Sequence, residues 1–298
     1  MDVKHTSPPK GRALFVGLAT CDIAYLVDEY LSEDSKTQAL DQFLGAGGPA
    51  ANAAITFAFL SGESPALLTA LGQHFLTEVV RADLHRHRVQ VLDATPTSAQ
   101  APPLSSIVVA RRSQTRTIVS LDSSRIRAPF EPAHAKALHE VEIVLIDGHL
   151  TDMCQGIAEE AHRQGIPVVL DAGRWRPSHA ALLPVVDVAI CSAVFRPPGV
   201  EPGDGPDAVL DHLLAAGVRF AAISRGPEAI VYAGAGRRGG LDVPTTTAVD
   251  TLGAGDILHG AFCHFYRRHN SFDIALAKAA SVAAESCRYF GPREWMAR

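Results

Sequence analysis

The stretch Ala248-Val249-Asp250-Thr251-Leu252-Gly253-Ala254-Gly255-Asp256-Ile257-Leu258-His259-Gly260-Ala261-Phe262 decides how the rest of the chain is read. Small residues ending in an acid, followed by an apolar run of helical character, describe a tight turn whose backbone N–H groups open a helix. The first amides of a helix lack intrahelical acceptors, and the macrodipole adds partial positive charge there. A phosphoryl group would dock on Gly253, Ala254 and Gly255, and Asp256, in the first helical turn, would face whatever that group moves toward. Taken alone, Gly-Ala-Gly is equally a loop, and Asp256 equally a carboxylate complementing the dipole.

The totals narrow the classes. With 298 residues, 47% hydrophobic and 20% charged, the chain has the balance of an ordinary globular protein and can bury a large core. A formal net charge of -5 argues against a basic face for nucleic acid or an anionic membrane. The five cysteines lie far apart with no C-x-x-C pair, so neither a disulfide framework nor a zinc knuckle is indicated, and a reducing cytoplasmic compartment is expected. Met1 to Arg12 is polar and proline-bearing, unlike a signal peptide, and no apolar run approaches the ~20 residues of a membrane span. A soluble, unprocessed protein is expected.

A second glycine loop, Gly45-Ala46-Gly47-Gly48-Pro49-Ala50-Ala51-Asn52-Ala53-Ala54-Ile55, leads into an alanine-rich run with Pro49 at the first helical turn. Gly45-x-Gly47-x-x-Ala50 formally suggests a dinucleotide fingerprint, yet no clean strand precedes it and no acid follows at the required interval. Gly234-Ala235-Gly236-Arg237-Arg238-Gly239 satisfies GxGxxG but opens no helix, so it reads as a hairpin turn. A P-loop lysine motif is absent.

Elsewhere the chain alternates. Ala13 to Leu18 is a buried-type strand ending near Asp22, whose position at a strand end suits a polar substrate as well as turn capping. Ile23 to Leu44 and Ser105 to Leu121 read as strands of a small sheet, the second a hairpin around Arg111, Arg112 and Arg116, read as a solvated turn or as a lid arginine reaching a substrate anion. From Val141 onward come Ile143–Asp147, a helix from about Asp152 to Gln164, Pro167–Asp171, Val185–Cys191, Phe220–Ser224 and a helix from about Ile274 to Phe290. Strands joined by helices imply a parallel sheet covered on both faces, with Asp147, Asp171 and Ser224 converging on one rim.

Asp-Thr-Leu-Gly-Ala-Gly-Asp before an apolar helix resembles the C-terminal signature of the PfkB, or ribokinase-like, carbohydrate kinases, and Gly47-Gly48-Pro49-Ala50-Ala51-Asn52 is similar to their N-terminal signature. The two come in the family's order, and the resemblance covers about Leu14 to Gly291. It implies a single α/β domain over residues 1–298: a ribokinase-like three-layer α/β/α fold with a mostly parallel central sheet and a small β-sheet lid inserted at about 22–46 and 104–122. It further implies ATP-dependent phosphorylation of a hydroxyl on a small sugar or sugar-like molecule, with Mg2+ on the phosphates.

By that resemblance Asp256 is the base and Gly253-Ala254-Gly255 the anion hole. Asp22, Gly47, Gly48, Asn52, His149 and Arg174 would bind substrate, although Arg176 matches the family's arginine as well as Arg174 does. Ser224, Gly226 and Thr251, with Gly253 and Gly255, would hold the nucleotide, and the final helix would close the adenine pocket. No metal ligands are assigned. A homodimer through the lid is implied, and no nucleic acid or membrane partner.

Two positions depart from the pattern. Cys191-Ser192-Ala193-Val194-Phe195 stands where relatives carry Asn-x-x-Glu, and Pro49 stands where ketohexokinase-like relatives place a second asparagine. Metal handling and substrate choice are therefore left open by the residues. Asp256, His259 and Cys263 share a helix face, for which packing of His259 and Cys263 is the simplest account. The rival readings are a catalytically silent sugar- or nucleotide-binding relative, and a nicotinamide-dependent oxidoreductase using the Gly45 loop.

Overall fold

The computed structural model describes residues 12–121 and 125–297. Residues 1–11 of the polar start, residue 122 at the limit of the second lid segment, and Arg298 lie outside them. The elements run β1 (Arg12–Val16), β2 (Thr20–Val27), β3 (Asp41–Gly47), α1 (Pro49–Ser61), β4 (Ala66–Thr69), α2 (Phe75–Arg86) and β5 (Gln90–Asp93). Then come β6 (Leu104–Ala110), β7 (Thr115–Ser120), β8 (Val141–Ile146), α3 (Thr151–Arg163), β9 (Val168–Ala172), α4 (His179–Leu182) and β10 (Val188–Ser192). The last third holds α5 (Gly205–Ala215), β11 (Phe220–Arg225), β12 (Glu228–Gly234), β13 (Arg237–Leu241), α6 (Ala254–His269) and α7 (Phe272–Ser286).

Nine described strands form one sheet in the order β13-β12-β11-β10-β9-β8-β1-β4-β5, parallel from β11 to β5 and antiparallel only at β11-β12-β13. The central strands are apolar throughout because both faces are covered. In β1, Phe15 enters the core shared with α1, α2, α6 and α7, while Leu14 and Val16 enter the core shared with α3, α4 and α5. A four-stranded sheet, β3-β2-β6-β7, stands apart as the lid, and Ala24, Leu26, Ile107 and Val109 on its inner face pack on Phe290. No helix among the described residues is long and apolar enough to cross a membrane.

The boundaries differ from the sequence expectation at three places. Strand β1 stops at Val16, and Asp22 lies within β2 of the lid, opposite Gly45 and Ser105. Strand β10 starts at Val188 because Leu183–Val185, containing Pro184, form a 3-10 turn. Helix α7 ends at Ser286, freeing Phe290 for the lid core. The apolar face of α7 packs on α6, and none of its residues lines the cavity described below.

Asp147 also departs from its expected place on the ligand rim. Its buried carboxylate accepts hydrogen bonds from the amides of Leu18 (2.8 Å), His149 (2.9 Å) and Ala50 (3.3 Å), tying β1, β8 and the start of α1 together. Replacing it with an apolar residue leaves buried N–H groups without acceptors. Asp147→Leu is therefore expected to cost about 3 kcal/mol or more of stability, read as a lower urea midpoint at unchanged slope. An unchanged midpoint would show that these amides find other acceptors.

Candidate active site

Everything at the site hangs on how α6 begins. Gly253 is in the left-handed region (φ 72), which turns the chain sharply enough to aim the next amides outward. Asp250 pins the approach, its carboxylate accepting from Leu252 N (2.8 Å) and Gly291 N (2.9 Å). The Ala254 amide is engaged by Thr251 O at 3.3 Å, whereas those of Gly255 and Asp256 meet no acceptor among the described residues. They open into a cavity of about 300 Å³ beneath the lid.

Asp256 stands on the cavity floor. Its carboxylate accepts from Asn52 Nδ2 at 2.7 Å, a bond joining the starts of α1 and α6. Asp256 is half-buried, and the desolvation of its carboxyl, reinforced by the negative charge of Asp171, pushes its pKa up to about 7, against the pull of Asn52 and His259. Asn52 is itself buried, and its Oδ1, sealed from solvent, has no hydrogen-bond partner among the described residues.

The lid supplies the opposite wall. Asp22 is buried and accepts from Thr20 Oγ1 at 2.5 Å; burial raises its pKa, opposed by hydrogen bonds from Thr20 and Ser105 and by the charge of Arg293. Gly47 lies so close that a Cβ there would fall inside the Asp22 carboxylate. Ser105, Ile107 and Ile118 complete this wall. Arg111 and Arg112 form the solvated turn, paired with Asp28 and Glu29, but Arg116 leaves it, enters the cavity and donates to Thr251 Oγ1.

At the sheet's carboxyl end the cavity is bounded by Asp171, Gly173, Ser192, Ser224 and His259. Ser224 Oγ donates to Cys191 O at 3.3 Å. Cys263, one turn past His259, is buried in the core and burial pushes its thiol up, whereas His259 faces the cavity rather than serving as packing alone.

Of the residues singled out from sequence, Asp22, Gly48, Asn52, Ser224, Gly253, Ala254, Gly255 and Asp256 line this one cavity. Gly47 and Thr251 are not in the lining, but Gly47 lies against the Asp22 carboxylate and Thr251 Oγ1 accepts from Arg116. Gly226 sits farther out, on the β11–β12 turn. His149 and Arg174 are not in the lining; His149 is instead met by Arg176 at 2.9 Å, while Arg174 is exposed. Asp171, expected on the strand rim, and Arg116, one of the three candidate lid arginines, line it too, whereas His259, expected to be packing, joined the site only in three dimensions.

The family model for pfkB family carbohydrate kinases matches residues 10–297. The chain belongs to the PfkB family. This PfkB protein is 25% identical to mouse ketohexokinase over 291 residues, 92% of this chain and 95% of the other. A protein of Agrobacterium tumefaciens described as a candidate ribokinase superposes with a TM-score of 0.82 at 23% identity, over 97% of this chain and 99% of that one. The ribokinase of Arabidopsis thaliana, solved with ribose and ATP, superposes with a TM-score of 0.76 at 18% identity, over 94% of each chain. The three layers and lid of this carbohydrate kinase are thus the ribokinase-like fold, and the helices that follow its two glycine loops meet at the cavity through the Asn52–Asp256 bond.

Proposed function

We propose that this PfkB protein transfers the γ-phosphoryl group of ATP to a hydroxyl of a small sugar or sugar-like molecule, with Asp256 as the base. The observation that carries the reading is convergence: the half-buried Asp256 carboxylate, two unpartnered helix-start amides and the polar residues Asp22 and Asn52 share one cavity. The ATP and ribose named for the Arabidopsis neighbour support it by analogy of fold.

A sugar hydroxyl is far too weak an acid to lose its proton to Asp256 ahead of phosphorus–oxygen cleavage. Phosphoryl transfer passes through a loose in-line transition state, so Asp256 aims the hydroxyl and takes the proton late. Asp22 and Asn52, which line the cavity, orient the acceptor through its other hydroxyls. The Gly255 and Asp256 amides receive charge developing on the transferring oxygens, and Arg116 adds a cation on the lid side. Ser224, Thr251, Gly253 and Gly255 border the nucleotide side, with Gly226 at its outer edge.

Magnesium belongs to this chemistry as a partner of the phosphates. The residues present do not fit a protein-built cage for it: no group of three or more His, Cys, Asp or Glu side chains converges among the described residues, and Cys191–Phe195 supply no carboxylate. Mg2+ commonly reaches such sites with its waters and phosphate ligands. The same stretch is what favours the second reading, a silent relative that binds sugar or nucleotide without turnover.

The five cysteines are free, in keeping with a reducing compartment. A homodimer through the lid is supported by exposed Leu44 and Leu104 on its strands and by the open edge at β7. The decisive experiment measures ADP release with ATP and magnesium across ketoses, aldoses, sugar phosphates and nucleosides. Turnover with one class is expected. Calorimetric binding of nucleotide with no turnover on any acceptor would select the silent relative.

A further inference from the structure

His259 lies one helical turn beyond Asp256 and is buried, so its ring must find partners within the protein. Nδ1 is 2.7 Å from Gly255 O and Nε2 is 2.9 Å from Ile190 O. Carbonyl oxygens only accept, so both contacts are hydrogen bonds only in a ring carrying a proton on each nitrogen. A neutral ring would turn one lone pair against a carbonyl.

The counter-charge is in place. Asp171 Oδ2 lies 3.1 Å from Nδ1, and Asp171 and Ile190 are register partners on β9 and β10, so His259 joins the α6 start to two neighbouring strands at one level. Because the Nδ1 proton is directed at Gly255 O, Asp171 Oδ2 receives no directed hydrogen bond; burial raises the pKa of its carboxyl, and the charge of His259 opposes that rise. Both residues line the cavity beside Asp256.

We propose that Asp171 and His259 form a buried charge pair that positions the catalytic turn on the sheet and biases the ionisation of Asp256. This rests on the reading of Asp256 as the base. The negative member opposes a charge on Asp256 and the positive member favours it. Other charged or titratable groups facing the pair are Asp147 and His149 just after β8, Arg176 beyond β9, Cys191 on β10 and Cys263 on α6; Asp22 and Arg293 face Asp256 from the lid and the C-terminal segment. None of these joins α6 to β9 and β10 through both ring nitrogens as His259 does.

The test is the pH dependence of kcat/KM for the sugar at saturating ATP in four proteins: unaltered, Asp171→Asn, His259→Gln and the double variant. Nucleotide and sugar titrations are common to all and cancel, and since the groups titrate together the displacement of the acid limb is read rather than its position. Loss of the Asp171 charge is expected to move the limb down by about 1 pH unit, and loss of the His259 charge to move it up by about 1 unit. The double variant falls between them. Limbs that move together, or not at all, overturn the pair.

If His259→Gln does not fold, nitrogen-15 spectra of ring-labelled histidine in the unaltered protein decide, with the His259 signal assigned by its displacement in Asp171→Asn. Two N–H groups on that ring support the pair and one overturns it. Full activity in Asp256→Asn would instead remove the base assignment itself, whereas dependence on Asp256 with unmoved limbs removes only the pair.

Discussion

Asp256→Asn is expected to lower turnover about 1,000-fold while making the folded protein more stable at pH 8. The amide keeps the shape of the carboxylate but cannot take the proton, and positioned acid–base groups contribute on the order of 100- to 10,000-fold. Stability moves the other way because the carboxylate's pKa is raised in the folded state to about 7. Between an unfolded value of about 4 and that folded value, the unfolded chain has released a proton that the native state still holds. Stability of the unaltered protein therefore falls as pH rises across this window, and the asparagine variant is spared the loss. ADP release and thermal unfolding at pH 5 and pH 8 test both halves. The stabilisation should be larger at pH 8. Activity within about threefold of the unaltered protein would contradict the assigned role.

Gly255→Leu is expected to abolish activity without harming the fold. Gly255 is the second residue of α6, and a Cβ built there meets nothing within 4 Å because the cavity lies above it. Exchanging glycine for leucine in a helix is favourable by about 0.5–1 kcal/mol, so the melting temperature should hold or rise. The new side chain would fill the space in front of the free amides, where the migrating group docks. Turnover should drop more than about 100-fold, the scale of losing an oxyanion-hole donor. A folded, fully active leucine variant would mean that the phosphoryl group passes elsewhere.

Both predictions concern residues legible before any coordinates, and the reason is locality. The Gly253-Ala254-Gly255-Asp256 turn and the Gly47-Gly48 loop each place their backbone atoms within a few residues, so a linear pattern, read with its resemblance to the family signatures, points to them. Apolar runs with uniform strand character likewise announce a sheet buried on both faces.

Partnerships at long range were not legible. Asn52 and Asp256 meet across 204 residues, Arg116 and Thr251 across 135, and His259 and Ile190 across 69. The arginine hairpin looked uniform in sequence, yet only Arg116, on β7 rather than in the turn, is carried over the cavity. His149 found Arg176 rather than the cavity, and the strand-end acid Asp147 was taken by backbone amides, because the strand register sets each end at its own depth.

By itself the sequence determined a parallel sheet covered on both faces, a second small sheet and the two glycine loops, since hydrophobic periodicity and turn chemistry act between near neighbours; that the small sheet is a lid came from the family resemblance. Only the tertiary structure decided which charges share the cavity and therefore what state Asp256 holds there. Burial and the Coulomb field of Asp171, Asp22 and His259 are properties of distance in space, and strands packed side by side bring together residues that the chain keeps far apart.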